Sequence, residues 1–168
     1  ISTNSGLWRY QIGDIIEFTS TNPFRIIIKG RVMSCLNTFG EELIVNNSDN
    51  AIEFACKKTN SEIVDYTVAP IFISNSAGSH EWAIEFKKAP QNTNEFMQII
   101  DDHLKHLNSD YEAKRFNDLI LKNPKLNIIK KGVFLNWLSI NNKLGGQNKI
   151  PRLNEKRTFI EEIKKLNL

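Results

Sequence analysis

The sequence contains little cysteine and no cluster of metal ligands. Its 168 residues include two cysteines, Cys35 and Cys56, and neither has a histidine or second cysteine at the spacing of a zinc site. We therefore expect no metal site in this chain. Two thiols that lack disulfide partners are typical of a reducing compartment.

Long apolar runs are also absent. The most apolar stretch, residues 24–28, is flanked by Pro23 and Lys29 and interrupted by Arg25, so it is too short to cross a bilayer. No signal peptide is visible at the start of the sequence. We expect no membrane partner and a cytoplasmic location.

Charge of one sign is not in excess. Twenty-two Lys and Arg residues stand against 19 Asp and Glu, for a net charge of +3, which is too small to indicate nucleic acid binding. Basic residues increase in 122–131 and 149–165. They are interpreted as solvated helix faces, although a few could instead meet a phosphate.

What is present is a mixed pattern of strands and helices. Alternating apolar residues predict strands at 10–18, 63–74 and 81–87. An isoleucine-rich run after Asn22-Pro23 predicts another at 24–29, and a short strand is predicted at 126–130. Helical periodicity predicts helices at 41–58, 94–107, 111–121, 131–143 and 154–166. The fold class is therefore α+β, with antiparallel strand hairpins and helices packed on the sheet.

Three polar motifs could carry chemistry. Gly13-Asp14 is a turn that could hold a carboxylate against adjacent hydroxyls, and Arg31 follows an apolar strand where it could reach a phosphate. A glycine-rich loop then leads to Lys149, whose ammonium could stabilise phosphate charge. Each motif taken alone has an ordinary structural alternative: a turn, an ion pair or a solubilising loop.

Taken together and in this order, the motifs resemble the C-terminal domain of acyl-adenylate-forming enzymes. The finer similarity is to the auxin-responsive promoter family, the plant-type acyl-acid amido synthetases and their bacterial relatives. The stretches that carry it are residues 9–14, 37–43, 64–70, 80–86, 108–115 and 143–153, which span nearly the whole chain.

This resemblance implies an ATP-dependent, AMP-forming ligase. The enzyme adenylates a carboxylic acid with ATP and Mg²⁺ and then transfers the acyl group to an amino acid. The chain is expected to be its C-terminal lid domain, whose main partner is its own large N-terminal domain. That large domain would hold the acid and most of the ATP and Mg²⁺, so the isolated chain is expected to be inactive.

The resemblance also assigns site residues. Asp14 corresponds to the carboxylate that binds the ribose hydroxyls, Arg31 to an arginine near the nucleotide, and Lys149 to the catalytic lysine that approaches the phosphates. Tyr10 is expected to pack near the nucleotide. The segment after Arg31 lacks a basic residue that the wider superfamily often has there.

The same comparison predicts the domain organisation. Residues 1–13 are expected to be a connector and first strand from the large N-terminal domain, and residues 14–168 the C-terminal α+β domain. A hinge is expected just after Asp14 or between Asp14 and Gly30.

Two other functions remain open at this stage. One is a free-standing α+β binding or regulatory module without catalysis. The other, less favoured, is nucleic acid binding through the basic C-terminal helix. Among other conspicuous residues, His80 is interpreted as a turn or edge residue and not as a base, and Trp82 and Trp137 as core. Trp8 is expected to pack against the large domain.

Overall fold

The chain begins with a separate β-hairpin. The computed structural model describes residues 1–10, 12–31, 35–74, 77–145 and 148–168, with the backbone alone for residues 29–31. Strand β1 (Asp14–Thr21) pairs antiparallel with β2 (Phe24–Arg31), which confirms the first predicted hairpin. The two strands form a sheet of their own.

A short strand pair leads into the first helix. β3 (Cys35–Leu36) pairs antiparallel with β4 (Leu43–Ile44), and α1 (Val45–Thr59) follows directly. The predicted helix started too early, at residue 41, because Glu42 has a positive φ of 43° and Leu43 and Ile44 are paired in β4. α1 ends at Asn60, which adopts a left-handed conformation.

The central sheet has three strands. β5 (Glu62–Phe72) and β6 (Gly78–Lys88) form the second predicted antiparallel hairpin. The turn predicted at residues 75–79 falls partly on residues 75–76, outside the described part of the chain.

Two helices carry the chain from β6 back to the sheet. α2 (Thr93–Leu107) and α3 (Ser109–Arg115) precede β7 (Lys125–Ile129), which pairs with β6 in parallel. A parallel partner requires such a crossover. The predicted α3 was too long, because the chain turns at Asn117, whose φ of 52° interrupts the helix.

The last two helices are α4 (Val133–Ile140) and α5 (Thr158–Leu166). Both are shorter than predicted. The chain before α5 cannot be helical at Asn154, because the Asn154 backbone N–H donates to the carbonyl of Val68 in β5.

The sheet separates two apolar clusters. Val68 and Trp82 face a cluster that includes residues of α1 and α2, whereas their neighbours Ala69 and Ala83 face a cluster that includes residues of α4 and α5. Helices therefore cover both faces of the sheet, as the α+β prediction requires. Trp82 and Trp137 are buried, as predicted.

A buried ion pair ties α2 to α3. The carboxylate of Asp101, 1% exposed, accepts hydrogen bonds from Arg115 Nε at 2.7 Å and Tyr111 Oη at 2.7 Å. Lys105 Nζ lies 2.6 Å from its other oxygen. Burial raises the pKa of Asp101, but these donors lower it more, so the pKa lies below its ordinary value.

Replacing Asp101 with Asn is expected to lower the free energy of unfolding at pH 7 by about 3–5 kcal/mol, because Arg115 would lose its buried carboxylate partner and keep only the half-exposed Asp118. Since the pKa of Asp101 is depressed in the folded state, its stabilisation is present above about pH 4 and is lost as the pH falls through the folded pKa. The difference from wild type should therefore shrink below pH 4. Urea unfolding at several pH values measures it.

The matched control is Asp102→Asn, since Asp102 is exposed and also pairs with Lys105. We expect a change of about 0.5 kcal/mol or less for this variant. Equal effects of the two substitutions at pH 7 would show that the buried pair does not stabilise the fold.

Candidate functional site

The open end of the first hairpin brings two predicted site residues together. Asp14 is the first residue of β1 and lies opposite Arg31, the last residue of β2. Gly13 precedes Asp14 with φ of +79°, a conformation that favours glycine, and so sets the direction in which the strand starts. The Arg31 side chain lies outside the described residues.

Tyr10 lies in the segment before the hairpin. Its backbone N–H donates to the carbonyl of Ile1 at 2.8 Å. The side chains of Tyr10 and Trp8 are exposed, Trp8 to 81%. Both rings are thus available on the surface of this chain, and Trp8 packing on a large domain stays a prediction.

Lys149 stands on the surface near the C-terminus. Its side chain is exposed, and no described residue forms an ion pair or hydrogen bond with its ammonium. The glycine-rich loop before it includes residues 146–147, which lie outside the described part of the chain. The next residue, Ile150, is buried against the α4 and α5 cluster.

The segment after Lys149 is attached to the edge of β5. The Val68 N–H donates to the Arg152 carbonyl at 2.8 Å, and the Asn154 N–H donates to the Val68 carbonyl at 3.0 Å. The hydroxyl of Thr67, a buried residue, donates to the carbonyl of Pro151 at 2.7 Å. The backbone that follows Lys149 is therefore fixed by hydrogen bonds to β5.

Sequence reasoning missed the role of Arg152, which ends this same motif. Its guanidinium extends to α1 and contacts Asp49 there. The stretch Lys149-Ile150-Pro151-Arg152 indicated a role for Lys149. It contained no indication that Arg152 contacts a residue 103 positions away.

The interpretation of His80 as a turn or edge residue was wrong. His80 lies within β6 and is 1% exposed, and its Nε2 is 2.8 Å from Oε1 of the fully buried Glu41. Burial raises the pKa of Glu41, but its interactions with His80 and the Phe39 N–H lower it more, so the pKa is below its ordinary value. Neither group reaches solvent, so this pair is structural.

Three of the motifs that carried the family resemblance meet at this pair. Glu41 comes from residues 37–43 and His80 from residues 80–86. Asn108, from residues 108–115, donates to the Glu41 carbonyl at 3.0 Å. Glu41, His80 and Asn108 therefore hold these three parts of the domain together.

The described residues offer no ready metal centre. Within the described ranges, no group of three His, Cys, Asp or Glu side chains is placed to hold a metal ion. The same residues include no helix with the length and apolar character needed to cross a bilayer.

Taken together, these features define an α+β domain with a hairpin at one end and an anchored basic segment at the other. Sequence profiles match it to two parts of one family: the GH3 family C-terminal domain over residues 46–158 and the GH3 family central domain over residues 1–31. The first match covers more than half of the chain. The chain therefore belongs to the GH3 family, which confirms the resemblance to the auxin-responsive promoter family.

Solved structures give the same fold. A GH3.15 acyl acid amido synthetase is 20% identical with a TM-score of 0.74, and an AtGH3.15 acyl acid amido synthetase in complex with 2,4-DB is 18% identical with a TM-score of 0.72. Each match covers 99% of this chain but only 33% and 32% of those chains. The chain thus spans about a third of the structures it matches. No curated protein sequence matches it.

Proposed function

We propose that the full-length protein is an ATP-dependent, AMP-forming acyl-acid amido synthetase and that this chain is its C-terminal lid domain. The observation that carries the proposal is the family match over residues 46–158 in a chain whose Lys149, on an anchored segment, has no ionic or hydrogen-bonding partner among the described residues. The names of the matched structures support the reaction class.

The reaction has two steps. A carboxylate oxygen of the acid attacks the α-phosphorus of ATP, which forms the acyl-adenylate and releases pyrophosphate. The amine of an amino acid then attacks the acyl carbon, loses a proton, and displaces AMP to leave an amide. A lid that closes over the site serves both steps, because it adds charged groups and excludes water.

Residues of this chain have separate roles in the proposal. The Lys149 ammonium stabilises the negative charge that moves onto the leaving pyrophosphate. The Asp14 carboxylate accepts hydrogen bonds from the ribose hydroxyls. Arg31, opposite Asp14 in the hairpin, lies near the nucleotide, and the exposed ring of Tyr10 packs beside it.

Magnesium is assigned elsewhere in the protein. The donor set in the described residues does not fit a Mg²⁺ ion, which needs several well-placed oxygen ligands. We place the ion with ATP in the large N-terminal domain.

The hairpin supports the proposed partner, the large N-terminal domain. Its apolar side chains are exposed: Ile16, Phe18, Phe24, Ile26, Ile27 and Ile28. A two-stranded hairpin is marginally stable by itself, and an apolar surface of this kind normally has a partner. The family's central-domain model matches residues 1–31, which contain the hairpin, and this supports contact between the hairpin and the large N-terminal domain of the full-length protein.

The predicted boundary between residues 13 and 14 and a hinge between Asp14 and Gly30 stay part of the proposal. A cytoplasmic location is also proposed. It is supported by two cysteines that form no disulfide.

Replacing Lys149 with Ala in the full-length protein is expected to slow ATP–pyrophosphate exchange by about 100-fold or more, the usual loss for one preorganised contact to transition-state charge. Exchange of labelled pyrophosphate into ATP measures the adenylation step alone. Lys156→Ala, an exposed lysine seven positions later, is the control and should retain wild-type exchange. Unchanged exchange in Lys149→Ala would remove this lysine from the mechanism.

Replacing Asp14 with Asn should raise the KM for ATP by about tenfold or more, because hydrogen bonds to a charged acceptor contribute about 1.5–3 kcal/mol. Steady-state exchange at varied ATP concentration gives this value. The exposed Asp110→Asn should leave the KM unchanged. A wild-type KM in Asp14→Asn would contradict the ribose assignment.

The isolated chain of residues 1–168 should show no synthetase turnover, because the acid site lies in the large domain. Amide formation from a panel of carboxylic acids and amino acids, followed by mass spectrometry, tests this. Turnover above a no-protein control would mean that the chain carries a complete site.

A further inference from the structure

The side chain of Arg152 is held by three neighbours. Its Nη1 donates to Oδ1 of Asp49 at 2.9 Å, and its Nη2 lies 3.5 Å from Oδ1 of Asp65. The guanidinium carbon lies 4.4 Å from the centre of the Tyr66 ring. A planar guanidinium that stacks on a ring while it pairs with carboxylates has little freedom to move.

The surface beneath Arg152 is itself fixed. The Tyr66 hydroxyl donates to the same Asp49 oxygen at 2.6 Å, and its oxygen lies 2.8 Å from the Ser48 hydroxyl oxygen. Tyr66 is fully buried. Asp49 thus receives donors from both β5 and the C-terminal segment, and it joins these to the first turns of α1.

Arg152 is poorly placed to bind phosphate. Its charge is already balanced by Asp49 and Asp65, and one of its faces is covered by Tyr66. Lys149, three positions earlier, has no such partner among the described residues. Lys149 and Arg152 therefore have different surroundings: among the described residues, the arginine has two carboxylate partners and the lysine has none.

We propose that Arg152 is a positioning residue for Lys149: by clamping the C-terminal segment to α1 and β5, it fixes the base from which the lysine reaches the phosphates. This inference rests on the proposed function of Lys149. The clamp adds a side-chain anchor to the backbone hydrogen bonds with Val68, so that the lysine side chain starts from a fixed backbone.

The chemistry of the clamp makes arginine specific at this position. Lysine could keep one ion pair with Asp49, but it could not stack its head group on Tyr66 while it faces two carboxylates. The requirement for arginine rather than lysine at position 152 comes from its tertiary contacts with Asp49, Asp65 and Tyr66.

The test uses ATP–pyrophosphate exchange by the full-length protein. We expect Arg152→Ala to lower the exchange rate by about 10- to 100-fold, with the KM for ATP close to wild type, because a displaced catalytic group costs rate. Arg152→Lys should lower the exchange rate by a smaller factor than Arg152→Ala. In a Lys149→Ala background, Arg152→Ala should cause no further loss, because its effect passes through the lysine.

Asp49→Asn separates positioning from phosphate binding. If Arg152 acts through the clamp, removal of the Asp49 charge lowers exchange in the same direction as Arg152→Ala, by several-fold. If Arg152 binds phosphate directly, the same change frees its charge, so exchange is retained or increased and the proposal is overturned. If Arg152→Ala does not fold, Asp49→Asn remains as a separate test of the clamp.

Hydrogen exchange gives a readout apart from activity. In the full-length Arg152→Ala protein, the Asn154 amide should exchange faster than in wild type, while amides of α2 keep their protection. Protection at Asn154 equal to wild type would show that the arginine does not hold the segment.

The possible failures can be told apart. If Lys149→Ala leaves exchange unchanged, the proposed function of the lysine fails. If Lys149→Ala slows exchange but Arg152→Ala does not, only the clamp fails. A further loss from Arg152→Ala in the Lys149→Ala background would show that the arginine acts independently of the lysine, and this would also overturn the inference.

Discussion

The attachment of residues 150–154 to the edge of β5 is the constraint on which the site depends. Val68 uses both its N–H and its carbonyl to hold this segment, and Ile150 and Leu153 are buried on either side of the sheet. A lysine on a polar surface loop without such contacts would have a mobile backbone. Here the residues that follow Lys149 are hydrogen-bonded to β5 and partly buried in the core.

Buried charge gives the remainder of the domain its fixed shape. Asp101 with Arg115 joins two successive helices, and Glu41 with His80 joins segments 39 residues apart. Such pairs are costly to bury, so they favour one arrangement of the helices over others of similar apolar content. A rigid body of this kind suits a domain proposed to move as a unit over a nucleotide.

The sequence predicted local elements well and tertiary contacts poorly. Both hairpins were predicted from local sequence patterns. In β6, for example, large apolar residues alternate with smaller or charged ones, so that each set lies on its own face of the sheet. The parallel pairing of β7 and the burial of His80 could not be predicted, because each depends on contacts distant in the chain. For the site, the motifs predicted Asp14 and Lys149 as candidates, but nothing near Arg152 in sequence indicated its contact with Asp49.

The central claim is that a carboxylate near the start of the chain and an ammonium near its end act on one ATP molecule. The most direct measurement is a crystal structure of the full-length protein with a non-hydrolysable ATP analogue in the adenylating conformation. The account predicts Asp14 at about 3 Å from a ribose hydroxyl and Lys149 at about 3 Å from a phosphate oxygen of the same nucleotide. A closed, nucleotide-bound structure in which Lys149 points into solvent, or in which Asp14 faces away from the ribose, would contradict it.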